Sequence, residues 1–466
     1  MAKPMNDGLK KYYQFLKWFF MLIVAETIIL IVSINHDFFF FKMLINYLFV
    51  AAIIPFIHEK ITSGKIDIFS PIAIFSFFYL LLFGVRALDL LIFRPEDFQA
   101  DEKYYAYTLI YAIIGLHFFQ IGYFSKLGQL LLGRKKFIPD NWSDVRFKII
   151  LIAYSTISFL SFLLMIKLSG GFASYFSNIH NAMVRITSGK TFVFISVLLI
   201  NIPLLIWFCY VIEHKRSVIT FLLFFLFASM LLMSLGERGH FMTLIISLLI
   251  CYHYLKKKIH SFPVVVMSTL LILFLVVYGQ YRDFTAQNYK IKKAGFNVKI
   301  GLLSTYSYFI GHFDQLRHVK DVVIAVPDQL DFQVGKTFLN LLVKPIPSAI
   351  WKNKPRGAGQ IVTKYLYPKA YNLKVTVAPS LLAELYLNFH IIGVILGFFL
   401  FGIFCKTLYY FLIKNDQNKN AVILYSICLP YVFSELRGDF AIVTSFLIFN
   451  LIFSFVALNY ISKKIR

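Results

Sequence analysis

A chain of 466 residues could hold two or three soluble domains, but 59% hydrophobic residues, 18% aromatic ones and a mean hydropathy of +0.71 exclude that class. The formal charge of +24 would raise nucleic acid as a partner in a soluble protein. Here the basic residues punctuate alternate loops between apolar runs with no nucleic-acid-binding motif beside them, so the class is an all-α polytopic membrane protein.

The apolar stretches have the length an α-helix needs to cross about 30 Å of hydrocarbon. About twelve spans are expected, near residues 18–35, 39–57, 68–92, 104–125, 147–168, 191–212, 218–235, 240–255, 262–280, 380–404, 420–436 and 440–461. The first follows Lys3, Lys10, Lys11 and Lys17, contains Glu26 and has no small-residue cleavage site after it, so it reads as retained. Basic clusters mark one set of connections: the N-terminus, Lys60 with Lys65, Lys126 through Lys148, Lys215 with Arg216, Lys256 to Lys258, Lys406 to Lys419, and Lys463 to Arg466. By the positive-inside rule these connections and both termini are cytoplasmic. Cys209, Cys251, Cys405 and Cys428 fall inside apolar runs without paired spacing and read as small core hydrophobes, not as disulfides or a zinc site.

The chain is expected to form a single membrane domain, residues 1–466, with one large extracytoplasmic loop, residues 283–379, between spans nine and ten. That loop carries 14 Lys and Arg against 5 Asp and Glu. Long translocated loops are exempt from charge bias, so the surplus is free to serve attraction to anionic lipid headgroups or a function.

Four charged clusters share the outer membrane level under this topology. They are Glu237-Arg238-Gly239, Tyr281-Arg282-Asp283, Glu384 at the start of span ten, and Glu435-Leu436-Arg437-Gly438-Asp439. Charges at the edge of hydrocarbon are costly and usually face a protein or water-filled interior. Guanidinium groups beside carboxylates suit a substrate with a phosphate leaving group and a hydroxyl nucleophile, because arginine matches phosphate oxygens bidentately and a partly buried carboxylate accepts a proton. Glu384, Arg282 and His312 are the catalytic candidates. Arg238, Arg437, Glu237, Asp439, Arg185 and Tyr281 are the candidates for holding that substrate. For any one arginine the competing reading is snorkelling to headgroups, and for Glu384 a buried ion pair. Arg86 and Asp89 share a helix face and are expected to pair. No metal-ligand spacing and no nucleotide-phosphate glycine motif is present, which argues for chemistry without either cofactor.

The segments Lys344-Pro345-Ile346-Pro347-Ser348-Ala349-Ile350-Trp351-Lys352-Asn353-Lys354-Pro355, Pro379 through Phe389 and Ile392 through Gly397 resemble the Wzy-type oligosaccharide repeat-unit polymerases of bacterial surface polysaccharides such as O-antigen and capsule. The Glu237-Arg238-Gly239 and Arg437-Gly438-Asp439 turns are similar to turns of that family. The resemblance implies a metal-independent glycosyltransferase of the bacterial inner membrane. Such an enzyme moves a growing glycan from undecaprenyl diphosphate to the non-reducing end of another lipid-linked repeat unit, with the active site facing outward. It implies undecaprenyl-diphosphate-linked oligosaccharide and membrane lipids as partners, with a chain-length regulator as a further candidate. The spaced Arg and Gly motif of some members is not evident after Arg185 or Arg282. A ligase passing glycan to a lipid or protein acceptor is the alternative enzyme, and a lipid-linked oligosaccharide flippase the alternative of another class.

Overall fold

The computed structural model describes residues 39–63, 66–132, 139–177, 190–214, 217–236, 238–259, 309–344, 353–372 and 375–462, with a few isolated positions besides. Among the described residues, regular structure is helical apart from an isolated bridge between Trp142 and Ser462. The main helices are α1 (Phe39–Ser63), α2 (Pro71–Phe93), α3 (Glu102–Phe124), α4 (Asp144–Leu168), α5 (Thr191–His214), α6 (Val218–Ser234) and α7 (Arg238–Leu255). They continue with α8 (Gln315–Ala325), α9 (Lys336–Val343), α10 (Ala358–Leu366), α11 (Leu381–Lys414), α12 (Lys419–Arg437) and α13 (Phe440–Ile461). Seven of these, α1 to α5, α11 and α13, are long and apolar enough to cross a membrane. The expected spans near 18–35 and 262–280 lie outside the described residues.

The chain divides into two compact units interleaved in sequence. One comprises Met1–Leu127, Phe313–Val334 and Pro379–Lys406, the other Gly128–His312, Gly335–Ala378 and Thr407–Arg466.

In the first unit, glycines set the spacing of α3 and α11. Gly122 lies against the Phe399 carbonyl and Gly402 against the Phe119 carbonyl, so closely that a methyl group at either would strike backbone. Bilayer helices gain little from hydrophobic exclusion and rely on such close approach. Around this contact Phe75 stacks on Phe119, and the Tyr79 hydroxyl donates to the Ala112 carbonyl at 2.7 Å. Helix α2 carries a π turn at Leu80–Val85, directly before the buried Arg86.

Helix α11 covers the span expected near residues 380–404 but is not one continuous rod. As a straight rod its 34 residues would run to about 50 Å, far more than the hydrocarbon needs. Instead the backbone leaves helical geometry at Phe389 and His390, and the Leu385 side chain folds back onto Gly397. The result is a helical hairpin with its corner at Phe389–His390. Gly393 allows that corner to close, since a side chain there would meet the Leu385 carbonyl.

In the second unit, α12 is buried along almost its whole length among α5, α7 and α13. Polar side chains tie these helices: Ser247 Oγ donates to the Ser426 carbonyl at 2.7 Å, and Asn450 Nδ2 to the Tyr431 hydroxyl at 2.9 Å. At the end of α13 remote from its cap, the Ser143 N–H donates to the Ile461 carbonyl and the Trp142 indole N–H to Asn420 Oδ1, both at 2.9 Å.

Candidate functional site

The turn between α12 and α13 is tight because Gly438 packs against the Val443 side chain and the Ser434 carbonyl, where no larger residue fits. It leaves Arg437 half-buried in the last turn of α12, where a cation complements the helix dipole. Asp439 caps α13: its Oδ1 accepts from the Ile442 N–H at 3.1 Å. Its Oδ2 accepts from the Gly359 N–H at 2.7 Å, in the first turn of α10. Gly357 is required at this contact, since a Cβ there would sit 2.7 Å from the same oxygen. One carboxylate therefore starts one helix and anchors the start of another, and both of its oxygens are engaged by backbone. Glu435, a turn earlier, accepts from the Thr444 hydroxyl at 2.6 Å.

This anchor brings the basic stretch between α9 and α10 onto the start of α13. Lys344 Nζ donates to Ser445 Oγ at 3.0 Å and lies 5.7 Å from the centre of the Phe446 ring. Lys354 Nζ donates to the carbonyls of Lys344 at 3.4 Å and Ile346 at 2.8 Å, while Asn340 Nδ2 holds the Pro355 carbonyl at 2.6 Å. Arg356 follows, exposed. Among the described residues, Lys344, Lys354 and Arg356 form no ion pair with a carboxylate. Burial pushes the Lys344 ammonium below the ordinary lysine range. Asp439 works against that shift and the nearby Lys354 adds to it. Two half-buried ammonium groups side by side on neutral oxygens leave positive potential that an anion would relieve.

Glu384 belongs to the other unit. It is fully buried in the first turn of α11, in the hairpin arm that packs back on Gly393 and Gly397. Ser380 fixes that turn: its carbonyl accepts from the Glu384 N–H and its hydroxyl from the Ala383 N–H, at a positive φ of 86°. Asn388, also buried, donates to the Glu384 carbonyl at 2.8 Å.

His312 is half-buried in the turn before α8, with its N–H on the Phe309 carbonyl. Arg185, Glu237, Tyr281 and Arg282 lie outside the described residues. Arg238 is described only as the backbone start of α7. The expected pairing of Arg86 with Asp89 is present, and Asp314 from the loop joins it, 2.7 Å from the guanidinium. Lysines 344 and 354 were absent from the candidates drawn from sequence, although both lie in the segment that carried the family resemblance.

Compared with models of known families, the chain matches that of O-antigen polysaccharide polymerase Wzy over residues 16–465. It belongs to the Wzy family. Neither curated proteins nor solved structures gave a match. As a Wzy polymerase it is a multi-pass membrane protein of polysaccharide biosynthesis that acts on lipid-linked oligosaccharide repeat units.

Proposed function

We propose that this Wzy protein transfers a growing glycan from undecaprenyl diphosphate to the non-reducing end of the next carrier-linked repeat unit, at the outer face of the bacterial inner membrane. An acceptor hydroxyl attacks the anomeric carbon of the donor glycan. The bond from that carbon to the diphosphate oxygen breaks, the diphosphate leaves with the electron pair, and the hydroxyl proton passes to a base. The observation that carries this reading is the set of cations around Lys344, held on neutral oxygens by the Asp439 anchor. Charge neutralisation of a departing diphosphate is the largest electrostatic demand of the reaction, and fixed cations meet it without reorganising. Arg238, Arg282, Arg437 and Arg185 are the arginines proposed to share that task, with Glu237, Asp439 and Tyr281 shaping the pocket. Glu384 is the proposed base and His312 its alternate, since a carboxylate or an imidazole can take up the hydroxyl proton.

The test is reconstitution of the purified chain in liposomes with a lipid-linked repeat unit, reading products as a ladder. Wild type should give long chains. Lys344→Gln, Arg282→Ala and Glu384→Gln should each leave mainly single repeats at normal protein abundance, a loss of about a hundredfold or more if each group acts in the transition state. Absence of polymer from wild type overturns the proposal, and a normal ladder from any variant removes that residue from the mechanism.

A further inference from the structure

The corner of the α11 hairpin is built from rings. His390 sits there with φ 54° and ψ −147°, a region that residues with a side chain rarely occupy. Such strain persists only where the surroundings hold it. Here the imidazole is packed 4.8 Å from the Tyr386 ring, 5.9 Å from Phe332 and 6.2 Å from Tyr111, centre to centre. Tyr111 and Tyr386 are 5.1 Å apart. Their four sources are α3, the two arms of α11, and the loop segment after α8, all in the first unit. The loop is fixed to the corner by backbone, the Gln333 N–H donating to the Leu387 carbonyl at 3.0 Å. His390 is exposed and Tyr111 and Phe332 are half-exposed, so the cluster is not a sealed core. Beside it, exposed Asp331 and the half-buried Gln333 carry the planar polar groups.

We propose that this corner is a glycan subsite, in which a pyranose ring of the lipid-linked oligosaccharide stacks on Tyr111 and Phe332 while Asp331, Gln333 and His390 bond its hydroxyls. A pyranose has an apolar face of C–H groups carrying slight positive charge and a rim of hydroxyls. The negative face of an aromatic ring complements the first, and carboxylate, amide and imidazole groups complement the second. The inference rests on the polymerase reading, which supplies an oligosaccharide as the substrate. Tyrosine and histidine at a helix end also suit a lipid headgroup layer, and the experiment separates the two.

The full chain in lipid nanodiscs is titrated calorimetrically with the soluble repeat-unit oligosaccharide, released by mild acid from the host's own lipid-linked glycan. Wild type should bind saturably. Tyr111→Leu and Phe332→Leu should each weaken binding about tenfold, as loss of one stacking partner does, and Tyr111→Phe should retain most of it. In the polymerisation assay the leucine variants should raise KM for the lipid-linked repeat more than they lower kcat. Phe332 lies in a loop, so its variant keeps the test alive should Tyr111→Leu fail to fold. If wild type polymerises while the leucine variants bind as tightly as it does, the subsite is overturned and the polymerase reading stands. If wild type binds oligosaccharide and the leucine variants bind it more weakly, but wild type makes no polymer, the subsite stands and the polymerase reading falls. Variants that lose nanodisc insertion or melting temperature at unchanged affinity assign the rings to the membrane surface and overturn the proposal.

Discussion

Arg86 and Lys320 in the first unit each touch two carboxylates, whereas Lys344 and Lys354 in the second touch a hydroxyl and main-chain carbonyls. The first pair holds loop to helix. Asp314 carries the segment before α8 to Arg86, and Lys320 bonds Asp101 at 2.5 Å, just before α3. Burial works against the Lys320 charge, yet the two aspartates outweigh it and raise its affinity for the proton. In the second pair the compensation falls short: burial lowers Lys344, Asp439 offsets only part of that shift, and the neighbouring Lys354 adds to it. A fully neutralised cation fastens the fold. A half-buried cation left on neutral oxygens stores positive potential for something that arrives later.

The comparison breaks most visibly at Arg86. Arg86→Ala would leave Asp89 buried without its main partner and Asp314 without its helix contact, a loss on the order of 3–5 kcal/mol. Thermal unfolding in detergent should show a large drop, and an unchanged midpoint would mean that the network is not what holds α8. Asp439→Ala comes next. It removes a helix cap and a charge-assisted bond to Gly359, together on the order of 3 kcal/mol, and frees the basic stretch from the start of α13. Protease cleavage between α9 and α10 should accelerate in that variant, with polymer lost. Lys344→Gln is the smallest in stability and the most telling: the midpoint should stay level or rise, because a desolvated charge is removed, while polymer falls.

The pH dependence sharpens the same contrast. The folded Lys344 binds its proton less tightly than the unfolded residue does. Between its lowered value and the ordinary lysine value of 10.5 the unfolded chain therefore holds more protons, and this residue's contribution to stability rises with pH. Binding of an anion should move the other way, weakening as pH climbs through the lowered value. Binding of inorganic pyrophosphate measured across that window should lose this alkaline limb in Lys344→Gln.

Much of this was legible in the sequence. Helices α12 and α13 fall almost at their expected limits, because Asn418 and Asp439 are capping residues and Gly438 ends a helix, all local signals. The pairing of Arg86 with Asp89 was visible from helical spacing alone. The break in α11 was not, since Phe389 and His390 are ordinary apolar-run residues and the clue lies in Gly393 and Gly397, whose partner Leu385 is known only once the chain has folded back. The second partner of Arg86 could not be read either, for Asp314 lies 228 residues away. Asp439 illustrates the limit for the site itself. Sequence marks it as a charge at the outer edge, and only coordinates reveal that backbone occupies both its oxygens.

The interleaving of the two units constrains how the chain is made. The first unit draws on residues up to Lys406 and the second includes α13, so neither can be completed while its early helices leave the ribosome. Helix α3 must wait in the bilayer for its glycine-matched partner α11, exposing Gly115 and Gly122 to lipid or to an insertion factor until more than two hundred further residues have been synthesised. Neither unit can be cut out as a continuous fragment, and split expression would have to divide the gene where the chain passes from one unit to the other.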